Sequence, residues 1–427
     1  MAWLESIYLT RVQVTVEDGA IARTPIDGLH EPDFPQICWE DGRPWREANQ
    51  WLLARLESDK NVDTVSSDAR ALHAYAQWLE DTLTDWLAFP MRQRDRCLVR
   101  YKGALKGAMA SNVLRPSTAA MRMRVVIRFY RWLRDSGLLD PETPLWNEKP
   151  FVIENFDATG FIRTIKGTTT DLTIPNRPPP GLRLEDGLMP LSEGARDKLL
   201  GNAKGLASPE LYLMLSLGFF TGMRLGTICD LRVETIFNAA RHPLTDKLHF
   251  LAIGPGARPS VHTKFGVTGQ AFIPTSLLEA LRDYCNSPRR FARQQLASES
   301  EKNLVFLTRY GNAYVAKRGR DKSASVNVEL HRLKKTIATV DPTAENFKFH
   351  QSRATFATQV ALIAARQLDG ASAIGIVQDL LMHAKEETSA RYIKFNEESA
   401  LKANLSNEFT RVLLGGLRGT KSDTEGD

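Results

Sequence analysis

Five short segments in the second half of this 427-residue chain hold side chains whose types and spacing could do chemistry. The first, Phe219-Phe220-Thr221-Gly222-Met223-Arg224-Leu225, reads as an apolar helix running into a glycine turn, with one arginine opening the next helix. The second, His262-Thr263-Lys264-Phe265-Gly266, reads as a strand ending in a turn, with a lysine at a hairpin tip. In the third, Phe349-His350-Gln351-Ser352-Arg353, His350 and Arg353 stand at i and i+3 and project from one helical face, so both could reach one phosphate. Leu380-Leu381-Met382-His383 ends a helix, and Arg391-Tyr392-Ile393 follows late in the next one. Singly, each has an ordinary reading. Arg224 would be a salt-bridge residue, Lys264 a solvated tip, His350 a cap beside a solvated arginine, and Tyr392 a packing residue with a wet hydroxyl.

The elements that must position them fall into two regions. Residues 1–47 read as an N-terminal extension of uncertain role, with a short β-like stretch from Ile7 to Val16 and turn-forming Gly and Pro. Residues 48–137 read as a small helical domain. Ser66 or Ser67 caps a helix carrying Leu72, Tyr75, Ala76, Leu79 and Leu83, which Pro90 stops. Ser117 or Thr118 caps another, with Met121, Val125, Phe129 and Trp132 on its apolar face, Arg124, Arg128 and Arg131 in a stripe beside it, and Gly137 at its end. Prolines crowd residues 138–187, predicting an extended surface linker. Leu191-Ser192-Glu193 then looks like the cap opening a second domain, 188–410. That domain reads as helical to about Val233 and as a small antiparallel sheet between Leu248 and Pro274. Helices follow at 275–296, about 324–339, 350–367, 372–382 and 386–394. The tail, 411–427, is expected to be flexible.

Composition narrows the class. The chain carries 56 Lys and Arg against 50 Asp and Glu, for a net +6, with 43% hydrophobic residues. The charge is concentrated: Arg92 to Arg134 holds twelve basic residues and one acid, Asp95. Such a field attracts a polyanion, although a solvated basic helix face has the same appearance. The four cysteines, Cys38, Cys97, Cys229 and Cys285, lie far apart, suggesting neither a zinc site nor a disulfide framework. The N-terminus lacks the pattern of a signal peptide, and no run is long and apolar enough to span a membrane, so a cytoplasmic location is expected.

Taken together, Arg224 … Lys264 … His350-x-x-Arg353 … His383 … Tyr392 resembles the signature of the tyrosine recombinases, the phage integrase family. The resemblance covers about 188–410, and the basic helical region before it looks like that family's core-binding domain. It implies a mainly α fold with a small antiparallel sheet: a helical core-binding domain and an α+β catalytic domain forming a clamp around double-stranded DNA. It also implies a DNA recombinase nucleoid-associated when bound, with four protomers on two sites, and neither metal nor other cofactor. Arg115, Arg122, Arg124, Arg128 and Arg131 are the expected DNA contacts.

The implied roles suit the residue types. A tyrosine hydroxyl can displace the 5′-oxygen of a phosphodiester and hold the 3′-phosphate as an ester. Two guanidiniums, Arg224 and Arg353, suit a transition state with extra charge on the non-bridging oxygens. Lys264 would protonate the leaving oxygen, His350 would accept the tyrosine proton or hold a phosphate oxygen, and His383 would hydrogen-bond the phosphate. Two positions depart from the family pattern. Met382 replaces the usual glycine before the second histidine, and Thr227 stands where an acid commonly follows the first arginine, the nearest acid being Asp230. Two alternatives remain open here: a type IB topoisomerase-like strand cutter, and a catalytically silent DNA-binding regulator.

Overall fold

The computed structural model describes residues 1–17, 20–58, 62–156, 162–176, 184, 187–315, 323–338, 342–383 and 386–399. The chain divides into two compact units, Met1–Pro180 and Gly181–Asp427.

The first unit opens with an antiparallel hairpin, β1 (Trp3–Glu17) and β2 (Ala20–Cys38). The expectation of an N-terminal extension with one short β-like stretch is therefore corrected to a long ribbon. The prolines that obscured β2 are tolerated because both strands of a two-stranded ribbon are edges, as where Pro35 lies opposite Ser6. The foot of the hairpin buries Phe34 and Ile37 in the same core as Trp45, Trp51, Leu72, Tyr75 and Phe129. Four helices supply most of that core: α1 (Arg46–Glu57), α2 (Val62–Asp81), α3 (Cys97–Ala110) and α4 (Pro116–Asp135). Ser66 and Ser67 lie inside α2 rather than capping it. Arg115 is the N-cap of α4, with Pro116 in the first turn, where a missing N–H does no harm, so Ser117 and Thr118 are already helical. Gly137 follows α4 in the left-handed conformation (φ 69°).

The predicted linker also holds a hairpin, β3 (Glu148–Phe156) paired with β4 (Ile162–Thr170). Pro150 again sits on an edge, opposite Thr168. Leu145, Leu172 and Ile174 are buried in the first unit's core. The segment is therefore part of that unit's packing, and the linker expectation is corrected.

In the second unit, Ser192 caps α5 (Glu193–Leu206), its hydroxyl accepting from Ala195 N at 3.3 Å. Next come α6 (Pro209–Thr221), mostly apolar and largely buried, then α7 (Leu225–Cys229) and α8 (Val233–Phe237). The sheet orders β5 (Ala240–Arg241), β6 (Leu248–Ile253) and β7 (Gly269–Pro274), all antiparallel. The helix expected over 275–296 is two, α9 (Thr275–Cys285) and α10 (Pro288–Leu296). Ser287 caps the second, with Pro288 in its first turn. Then follow α11 (Ala324–Ile337), α12 (His350–Gln367), α13 (Gly370–Leu381) and α14 (386–399). In the first turn of α6, Glu210 is fully buried and held by Arg289 at 2.8 Å, Arg293 at 2.9 Å and the Tyr284 hydroxyl at 2.8 Å. The four cysteines are buried and unpaired. Among the described residues no helix is long and apolar enough to cross a membrane. The tail and most of the segment after Tyr392, from residue 400 onward, lie outside the described residues.

Candidate active site

Gly222 ends α6 with φ 66°, and a Cβ there would lie 2.4 Å from Phe356 Cδ1 and 2.9 Å from Leu381 Cδ2. Only glycine fits this turn, both for its left-handed backbone and for the closeness of α12 and α13. Two residues on, Arg224 is the half-buried N-cap of α7. Lys264 lies in a tight turn between β6 and β7, its exposed ammonium 5.2 Å from the Phe265 ring centroid. The Thr263 hydroxyl closes that turn by donating to Val267 O at 2.6 Å.

Arg353, one turn into α12, is only 2% exposed. Its Nη1 donates to Gly222 O at 2.6 Å and its Nη2 to Leu381 O at 2.8 Å, so it binds together the C-terminal ends of α6 and α13. Charge-assisted bonds of this kind are among the stronger ones in a protein. His350, half-buried, begins the same helix.

Beyond Leu381 the chain makes another left-handed turn, at Met382 (φ 48°, ψ 53°). The departure from the family's glycine therefore leaves the turn in place and adds strain of about 1–2 kcal/mol, the usual penalty for an L residue there. The turn delivers His383, 5% exposed, whose Nδ1 lies 2.9 Å from the Ser389 hydroxyl. Its ring stacks on Tyr392, with centroids 5.9 Å apart and planes 12° from parallel. Tyr392, in α14, is 1% exposed and packs among Ala354, Ala357, Val377 and Leu381.

Arg224, Lys264 and Arg353 thus line one cleft, together with Thr227, Thr263 and Met382. His350, His383 and Tyr392 are not among its lining residues; the last two form the buried pair reached through Leu381 and Met382. Thr227 is buried, and the acid that contacts the Lys264 turn is Asp230, whose Oδ2 accepts from His262 N at 2.7 Å. Ser389 went unnoticed in the sequence, where a serine six residues after a histidine carries no signal.

In the first unit, the basic stripe is divided. Arg115 and Arg124 are exposed and Arg122 is half-buried. Arg128 instead donates to buried Asp68 at 3.0 Å, alongside Arg55. Arg131 lies 3.5 Å from Glu148 and over the Trp146 ring, where Arg134 also sits. Arg124, Arg128 and Arg131 border a groove whose other wall is Thr168, Thr169 and Thr170.

Residues 192–399 match the phage integrase family. No curated protein is significantly similar in sequence. Among solved structures, a Tn1549 transposon integrase in complex with a circular intermediate DNA matches at 13% identity and TM-score 0.51, over 81% of this chain and 93% of that one. The same transposon's integrase in complex with transposon right end DNA matches at 12% identity and TM-score 0.51, over 84% and 98%. At these identities the likeness is one of fold. The chain therefore carries, in its second unit, a phage integrase family domain with the tyrosine recombinase fold.

Proposed function

We propose that this chain is a site-specific recombinase that cuts and rejoins double-stranded DNA through a 3′-phosphotyrosine at Tyr392. The observation that carries the reading is the single cleft formed by Arg224, Lys264 and Arg353, which come from three separated segments. Two arginines and a lysine converging on one cleft suit a phosphate. The similar transposon integrases are seen in complex with DNA, which supports DNA as the partner.

In this reading Arg224 and Arg353 hold the non-bridging oxygens and stabilise the charge that grows on them. The Tyr392 oxygen bonds to phosphorus, its proton passing to His350, while the bond to the 5′-oxygen breaks and Lys264 protonates that oxygen. His383 donates to the phosphate. A 5′-hydroxyl from another strand then attacks the phosphotyrosine, its proton passing to Lys264, while the bond from phosphorus to the Tyr392 oxygen breaks and that oxygen takes its proton back from His350, restoring a phosphodiester. The phosphate ester keeps the bond energy, so the reading calls for no ATP, and Arg224 and Arg353 would do the charge stabilisation for which many nucleases use a metal ion. Because Tyr392 is enclosed here, its attack requires α14 to open from α12 and α13. Joining two sites calls for more than one protomer, and four on two sites is the arrangement we propose.

The test is a nicked suicide duplex taken from the DNA flanking the gene. The unaltered protein should accumulate a covalent adduct. Tyr392→Phe should form none and should bind the duplex as before; an undiminished adduct would remove Tyr392 as the nucleophile.

A further inference from the structure

Asp230 is the C-cap of α7, the five-residue helix whose N-cap is Arg224. Its Oδ1 accepts from Arg232 Nη2 at 2.7 Å, and its Oδ2 accepts the backbone N–H of His262 at 2.7 Å. His262 lies two residues before Lys264. Beside it Val261 is buried and bridges to Gly254 across the base of the β6–β7 loop, and Thr263 closes the turn that follows. One short helix therefore carries an active-site arginine at one end and, at the other, the carboxylate that anchors the stem of the lysine turn.

We propose that Asp230 is a positioning residue that sets where Lys264 can deliver its proton, work that Thr227, with no charge, cannot do. The proposal rests on Lys264 being the proton donor. A lysine ammonium swings on a flexible four-carbon stem, so the place of its backbone decides which oxygen it can reach. Lys264 is exposed, and its ammonium lies 5.2 Å from the centroid of the adjacent Phe265 ring. A carboxylate accepting a backbone N–H makes a strong, short hydrogen bond, suited to fixing that backbone.

The chemistry offers a readout that a merely structural role would leave unmoved. In normal cleavage the bond from phosphorus to the 5′-oxygen breaks, its electron pair stays on oxygen, and Lys264 supplies a proton. When that oxygen is replaced by sulfur, the phosphorus–sulfur bond breaks and a thiolate leaves unprotonated, so no donor is needed. Single-turnover cleavage of matched oxygen and 5′-sulfur duplexes would be compared for the unaltered protein, Lys264→Ala, Asp230→Ala and Asp230→Asn.

Asp230→Ala should slow cleavage of the oxygen duplex by about ten- to a hundredfold, as a misplacement near 1 Å does, and cut the sulfur duplex at the normal rate. Asp230→Asn, which keeps the shape but accepts only one bond, should show a smaller loss, again confined to oxygen; it decides the matter if the alanine variant does not fold. Equal losses on both duplexes, or no loss in either variant, would overturn the proposal. If Lys264→Ala were itself not rescued by sulfur, the failure would lie with Lys264 as proton donor.

Discussion

Gly222→Ala and Gly226→Ala are the same change four residues apart, and they should move stability in opposite directions. At Gly222 the added methyl meets a left-handed backbone of φ 66° and side-chain carbons at 2.4 and 2.9 Å. Left-handed backbone costs an L residue about 1–2 kcal/mol, and overpacking a filled site costs about 1–3 kcal/mol, for a loss of about 2–5 kcal/mol. Gly226 lies within α7, where a Cβ would meet nothing within 4 Å. There alanine should gain about 0.5–1 kcal/mol. For a unit of this size each kcal/mol moves Tm by roughly 2–4 °C, so Gly222→Ala should lower it by about 4–20 °C and Gly226→Ala raise it slightly. All eight tryptophans lie between Trp3 and Trp146, in the first unit, so tryptophan emission follows that unit alone. Far-UV circular dichroism must therefore report the change in the second. A Gly222→Ala melt unchanged to within about 1 °C would show that this turn does not need glycine and that the packing described around it is wrong.

The buried Glu210 cluster gives a pH prediction. Burial opposes its charge, but the bonds from Arg289 and Tyr284 and the nearby Arg293 outweigh that and hold its carboxyl below the ordinary 4.5. The lowered folded value means that its contribution is complete above about pH 4.5 and is lost as pH falls through the folded value. Acid titration followed by circular dichroism should show this loss, and Glu210→Ala should lack it while losing about 3 kcal/mol at neutral pH, because buried Arg293 loses its carboxylate partner. Arg128 and Arg124 should separate in the same way. Arg128→Ala should destabilise the first unit by about 1 kcal/mol by weakening the hold on Asp68. Arg124→Ala should leave stability unchanged and reduce the salt slope of DNA binding by about 1, measured by titrations at several salt concentrations.

Long periodic segments were legible. The apolar stripe of α4, the span of α12, the Ser192 cap and the β6–β7 pair all lie where composition and spacing predict them, because each is determined by residues close in sequence. The two hairpins of the first unit were not. Pro25, Pro35 and Pro150 argue against strands in any sheet with an interior, and only pairing in two-stranded ribbons makes them harmless. In the site, residue types and order were readable, but partners were not. Nothing local to Asp230 points to His262, thirty-two residues away, and nothing near Arg353 points to the carbonyls of Gly222 and Leu381. The consequence of Met382 for the turn was equally hidden, since a glycine's absence does not say whether another residue will adopt its backbone.

The two bonds from Arg353 to main-chain oxygens also bear on when rotational freedom is given up. A long cationic side chain holds about 2 kcal/mol of rotamer entropy. For Arg353 that entropy is surrendered as the unit folds, so in the proposed reading an arriving phosphate would meet a guanidinium already held in place. Lys264 is the reverse, exposed on a turn, where a flexible four-carbon stem keeps its rotamer freedom. Its ordering is deferred to the bound complex, which makes its alignment sensitive to how well the DNA fits. A poorly matched duplex would still be gripped by the rigid arginine but would fail to recruit the mobile lysine. Discrimination would then fall on the cutting step more than on binding.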